Sequence, residues 1–223
     1  MKVKMQDALE QLLSSAGTVS HSTLRFPKVD EVAASDFRLE IEDVYRRLGG
    51  ILPSLPLNLR SWDMEFDSIA IELDEYLHFN RYRGLTLKFP IYERLPHFPL
   101  ESYNRYCLEH EGRCLAAGSF GARWTNKSTE AQFGLASQPR DLSGNGSPRW
   151  KQRAFYDFVK DISPLLIEVK VVRVAVWDVL EVGEQSTTVG EMLTALIQRR
   201  ATPISGEVMI TALVDLITER AAD

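Results

Sequence analysis

The chain has 223 residues, 44% of them hydrophobic, with 26 Lys and Arg against 31 Asp and Glu and a net charge of -5. That length and apolar share suit one buried core, and no apolar run reaches the roughly 20 residues that span a bilayer. Cys107 and Cys114 are too few for a disulfide framework, and the net charge argues at first sight against a nucleic-acid partner.

The opening residues carry Asp7 and Glu10 where a secretory signal would be apolar, which predicts a cytoplasmic protein. Asp7 to Ser14 reads as a short amphipathic helix with Leu9, Leu12 and Leu13 on one side. Asp36 to Leu48 is a second helix: Phe37, Ile41, Val44, Tyr45 and Leu48 recur at 3.6 spacing behind Ser35 or Asp36, and Gly49-Gly50 closes it. Ile51 to Leu59 is apolar but broken by Pro53 and Pro56, which fits an edge strand or an extended approach to the sheet.

Residues 60–66 and 69–74 are predicted as a hairpin turning at Asp67-Ser68. A two-residue turn pairs Phe66 with Ile69, Glu65 with Ala70 and Met64 with Ile71, and sets Asp63 across from Glu72. Strand alternation then puts Asp63, Glu65, Glu72 and Asp74 on one face and Trp62, Met64, Phe66, Ile69, Ile71 and Leu73 on the other. An acidic face of this kind is either a solvated polar side or a place where a cation relieves the repulsion. A solvated face usually mixes signs, and no Lys or Arg stands between Ser61 and Leu77. Hard carboxylate oxygens converging on one point suit Mg2+ or Mn2+.

From Leu77 to Leu87 the pattern is ambiguous between helix and coil, and the prolines from Lys88 to Pro99 predict an irregular path. A helix is expected around Tyr103 to His110, and residues 116–148, rich in Gly, Ser and Asn, are expected as a long loop. Ala154, Phe155, Phe158, Val159 and Ile162 mark a helix from Arg149 to Ile162, ended by Ser163-Pro164. Val169 to Val179 is the strongest strand, β-branched, almost continuous and expected at the centre of a sheet. Helices from about Val189 to Arg199 and Glu207 to Arg220 follow, their apolar faces fitted to cover the sheet or to form a homodimer. Together these elements predict an α/β fold with a mixed central sheet flanked by helices.

The net charge hides an asymmetry. Residues 79–153 hold 12 Lys and Arg against 6 Asp and Glu, whereas the remainder holds 14 against 25. A basic stretch beside an acidic centre fits a metal-dependent enzyme acting on a polyanion, and equally a long solvated insertion.

The element order, with Asp63, the strand Ile71-Glu72-Leu73-Asp74-Glu75, and the later helix and strand around Asp157 and Arg173, resembles the PD-(D/E)XK nuclease superfamily. Glu-x-Asp running into His78 is similar to the very-short-patch repair endonuclease-like branch. The resemblance implies a restriction-endonuclease-like αβββαβ core, about 36–95 and 149–180. An insertion at about 96–148 and C-terminal helices at 187–221 would complete a single domain. It further implies a Mg2+- or Mn2+-dependent endonuclease acting on DNA, with Asp63, Glu72 and Asp74 as metal ligands and catalytic acids. Asp74 stands where the superfamily commonly has Lys, and Lys88, Lys151 or Arg153 are the cations that could substitute. His78 could act as general base or meet the leaving phosphate. Arg81, Arg83, Lys151 and Arg153 are the expected phosphate contacts. A rival metal site would use Cys107, His110 and Cys114 with His97, although buried thiols are the simpler reading. A rival function is a nuclease-like fold that has lost its chemistry and binds nucleic acid or assembles with protein.

Overall fold

A computed structural model of the chain describes residues 4–200 and 205–222. Part of the N-terminal stretch read for a signal, and the link between the two C-terminal helices, therefore lie outside the described residues. In chain order the first elements are α1 (Met5–Leu13), β1 (Val19–Ser20), α2 (Val29–Ala34), α3 (Arg38–Arg47), β2 (Met64–Phe66) and β3 (Ile69–Asp74). Then come α4 (Arg81–Thr86), α5 (Leu100–Glu109), α6 (Glu111–Gly118), α7 (Lys127–Phe133), α8 (Pro148–Asp161) and α9 (Ser163–Leu166). The chain closes with β4 (Lys170–Ala175), β5 (Val179–Val182), β6 (Gln185–Thr188), α10 (Val189–Ile197) and α11 (Gly206–Arg220). No helix among the described residues is long and apolar enough to cross a membrane.

These elements form a mixed α/β protein of two compact units, one of residues 1–25, 60–75 and 169–223, the other of residues 26–59 and 76–168. The first is built on a four-stranded sheet of order β1-β2-β3-β4. Its hairpin has the expected register, Met64 opposite Ile71, Glu65 opposite Ala70 and Phe66 opposite Ile69. Asp67 and Ser68 both take left-handed backbone angles, φ 46° and 68°, as a tight turn that matches strand twist requires. Parallel β4 then adds to β3, setting Glu72 beside Arg173.

Two expectations fail here. Strand β4 lies at the end of the described sheet and not at its centre, and it stops at Ala175, before Val179. The Asp178 carboxylate accepts the Ala175 N–H (2.7 Å), which turns the chain out into the separate β5-β6 hairpin. At Gly190 an added Cβ would come within 2.8 Å of the Val176 carbonyl oxygen, so the start of α10 needs glycine to approach this turn. Arg220 of α11 grips Asp178 with two nitrogens, at 2.6 and 3.0 Å. The apolar stripes of α10 (Val189, Met192, Leu193) and α11 (Met209, Leu213, Ile217) are buried within the chain.

The second unit is helical. Ile51 to Leu59 forms no strand; its two prolines leave an irregular segment held by Tyr156 Oη donating to the Pro56 carbonyl (2.9 Å). Tyr45 of α3 packs on Phe133 and Phe155, with ring centroids 5.3 and 5.1 Å apart, and donates its hydroxyl to the Gln132 carbonyl (2.9 Å). The stretch expected as a long loop contains α7, capped by the Asn126 side chain on Thr129 N–H (3.1 Å). Trp124, Trp150 and Cys114 form a small core beneath it.

Candidate functional site

The acids of the sheet unit occupy the base of the hairpin. Asp63 lies one residue before β2, and its backbone N–H donates to Glu72 Oε1 (3.2 Å) while its own Oδ2 accepts from Leu73 N–H (2.9 Å). Each carboxylate thus serves the backbone of the opposite strand. Glu65 points elsewhere, accepting from Thr23 N–H at 3.1 Å.

Two of the four acids are withdrawn from water, while Asp63 and Glu65 are half-buried. Glu72 is 4% exposed and Asp74 1%, and the cation that relieves their repulsion is Arg173, itself 2% exposed. Its Nη1 donates to Asp74 Oδ1 at 2.7 Å and stands 3.8 Å from Glu72 Oε2. Parallel pairing explains the geometry: residues at i and i+2 of β3 share a face with their neighbour on β4, so one guanidinium reaches both. The cation beside these two acids is an arginine of the adjacent strand. An arginine inside a run of Val residues was the available signal, because a buried guanidinium requires an acid.

In the helical unit, His78 Nδ1 lies 2.9 Å from Asp157 Oδ2, a contact that orients the ring. Arg81 is exposed and held in a two-pronged ion pair by Glu111 (2.8 and 2.7 Å), which keeps that carboxyl below its ordinary value. Arg83 is 1% exposed, so the expected phosphate contact is not available to it. Its guanidinium pairs with Asp161 (2.6 Å) and donates to the Tyr92 hydroxyl (3.1 Å), and that hydroxyl in turn donates to Asp161 (2.5 Å). Arg153 donates to the Leu77 carbonyl at 3.2 Å.

Lys151 is also buried, 6% exposed, where an open phosphate clamp was expected. It donates to Asn145 Oδ1 (2.5 Å) and lies over the Tyr82 ring, 5.6 Å from its centroid. A Cβ on Gly49 would meet its nitrogen at 3.1 Å, so the ammonium sits at the C-terminal end of α3, where the helix dipole favours a cation. Burial nevertheless pulls its pKa down. The α8 N-terminus is closed as well, since Ser147 Oγ accepts from Trp150 N–H (3.2 Å) and the Trp124 carbonyl takes Arg149 N–H (3.3 Å).

Cys114 is a buried thiol within hydrogen-bonding range of the Leu77 carbonyl (3.6 Å), and burial pushes it up to about 12. Its burial agrees with the simpler reading of Cys107 and Cys114 as core thiols.

A family model described as a family of unknown function, DUF7255, matches residues 43–195. The chain belongs to that family. The matched span includes Asp63, Glu72, Asp74 and Arg173, as well as His78 and Asp157, and ends before α11. No curated protein and no solved structure gives a match.

Proposed function

We propose that this protein is a divalent-metal-dependent nuclease of restriction-endonuclease-like fold, hydrolysing phosphodiester bonds in DNA. The observation that carries the reading is the pair of hydrogen bonds across the base of the hairpin, Asp63 N–H to Glu72 Oε1 and Leu73 N–H to Asp63 Oδ2, which sets both carboxylates at the same end of the two strands. The mixed sheet supports the reading in part, with β2 and β3 antiparallel and β4 parallel to β3 after a long crossover, although the further strand β1 (Val19–Ser20) comes from outside the expected 36–95 span.

The donor set fits a hard cation. Three carboxylates less one guanidinium leave two negative charges for a divalent ion, and all the oxygens are of the type that Mg2+ and Mn2+ prefer. When bound, such an ion supplies an acidic water and positive charge on the phosphate. Asp63 and Glu72 would hold it, and Asp74 fixes Arg173. Arg173 then provides the positive charge that a lysine at position 74 would have given, from 3.8 Å beyond Glu72. The cations of residues 79–153 supply affinity for the polyanion.

The test is cleavage of plasmid and linear DNA with Mn2+, by the intact chain and by Asp63→Asn and Glu72→Gln, whose folding is checked by circular dichroism. Both variants are expected to lose at least about a hundredfold in rate, as for removal of one transition-state charge contact. No cleavage by the intact chain, together with no Mn2+ heat in calorimetry, would discard the proposal.

The Arg173 clamp favours a second reading, a nuclease-like fold that binds without cutting, because the acids are already compensated. In that case DNA binding survives both substitutions and the addition of chelator.

A further inference from the structure

The acids at the base of the hairpin stand where strand pairing stops. The ladder between β2 and β3 runs from Phe66 opposite Ile69 to Met64 opposite Ile71, and Asp63 is the next residue along. Its backbone is tied by side chains instead. Glu72 Oε1 accepts the Asp63 N–H (3.2 Å), and Gln6, in the first turn of α1, donates from Nε2 to the Asp63 carbonyl (2.6 Å). With the groups on both sides of one Cα fixed, only the side-chain torsions of Asp63 stay free, and the bond from Leu73 N–H to Oδ2 (2.9 Å) sets those.

Gln6 reaches this point from a helix that is itself anchored. Ala8, Leu9, Leu12 and Leu13 bury the apolar face of α1, which packs on α10 within the same unit. The Gln6 side chain is half-buried and neutral. A Lys or Arg in its place would cancel one of the negative charges that the acids leave for a divalent ion, whereas an amide orients Asp63 and leaves that charge as it is. We propose that Gln6 is a positioning residue for the divalent ion that Asp63 and Glu72 would hold, keeping the Asp63 carboxylate in place through its main-chain carbonyl. A carboxylate already fixed loses less freedom when the ion binds, so removing the brace weakens the ion far more than the fold. This role rests on the nuclease reading and adds to the site a residue of α1, outside the matched span 43–195.

The test compares the full chain with Gln6→Met, of similar length but without a donor, and Gln6→Asn, which keeps the amide and falls one methylene short. Mn2+ affinity is read from the electron paramagnetic resonance of the free ion, and exchange of the Leu73 amide by NMR in EDTA. Both variants are expected to bind Mn2+ about 10–100-fold more weakly, the usual loss when a group that orients a metal ligand is removed. In EDTA their melting temperature should fall by no more than about 2–4 °C, as for one hydrogen bond. The Leu73 amide should accelerate more than that of Ile71, which lies inside the ladder; a general loss of stability would speed the two equally. Parent-like Mn2+ affinity in either variant, or equal acceleration of the two amides, overturns the role of Gln6 and leaves the nuclease reading standing. An intact chain that takes up no Mn2+ discards that reading and the role of Gln6 with it.

Discussion

The two units bury charge in different ways. In the sheet unit, with 9 Lys and Arg against 16 Asp and Glu, guanidinium groups close on buried carboxylates: Arg173 on Asp74 and Glu72, and Arg220 on Asp178. The helical unit, with 17 against 15, contains one such pair, Arg83 with Asp161, but it also buries Lys151 against an amide oxygen and a ring. A planar fork can satisfy two acids at once, whereas an ammonium tolerates neutral oxygens and a helix end at the cost of a lowered pKa. Buried acids in one unit are met by guanidinium groups, while the other keeps cations at its surface.

The sharpest way to break this contrast is Arg173→Met, which leaves Glu72 and Asp74 as like charges in the interior. Urea unfolding should show a loss of about 3–5 kcal/mol, the usual cost of breaking a buried pair. A loss below about 1 kcal/mol would mean that the acids are not held as ions by this guanidinium.

Asp161→Asn comes next, with a loss of about 3 kcal/mol, because the buried Arg83 loses the carboxylate charge 2.6 Å away. Pairing Arg83→Met with Asp161→Leu should recover most of that loss, which a double-mutant cycle measures.

Lys151→Met should cost under about 1 kcal/mol, as expected for a substitution of similar shape that also removes a desolvated charge. Its sign with pH sharpens the comparison. The folded lysine holds its proton less firmly than the unfolded one, so its burden on stability is full at low pH and lifts as pH rises toward the ordinary value of 10.5. Relative to Lys151→Met, the parent chain should therefore gain stability between neutral pH and that value.

The smallest effect belongs to Glu111→Gln at the surface pair with Arg81, about 0.2–1 kcal/mol and reduced by salt. That carboxyl is depressed in the folded chain, so its contribution is present above the ordinary 4.5 and fades as pH falls below it.

The hairpin could be read directly from the sequence because its register depends on a two-residue turn and strict alternation, both local. Helices α3, α8, α10 and α11 could be read for the same reason, each carrying its own periodic apolar stripe. The fate of the acidic face could not. Its partner Arg173 lies about a hundred residues away, and a single sequence does not show which strand pairs with which. Helix α7 hid in a Gly- and Ser-rich stretch, its one local sign being Asn126 three residues before Thr129. The β5-β6 hairpin passed unread; Gly183, at φ 62°, marks its turn. Lys151 looked like an open phosphate contact because its burial depends on Gly49 and Asn145, neither of which carries a charge.

The connectivity of the sheet has a consequence for biosynthesis. Strands β3 and β4 are hydrogen-bonded neighbours, yet the chain between Asp74 and Lys170 belongs almost entirely to the other unit. A ribosome that has just released Glu168 has made every residue of the helical unit, while β3 still has one bare edge ready to recruit a stray strand. A nascent chain stalled at that point is expected to be caught by chaperones or to aggregate.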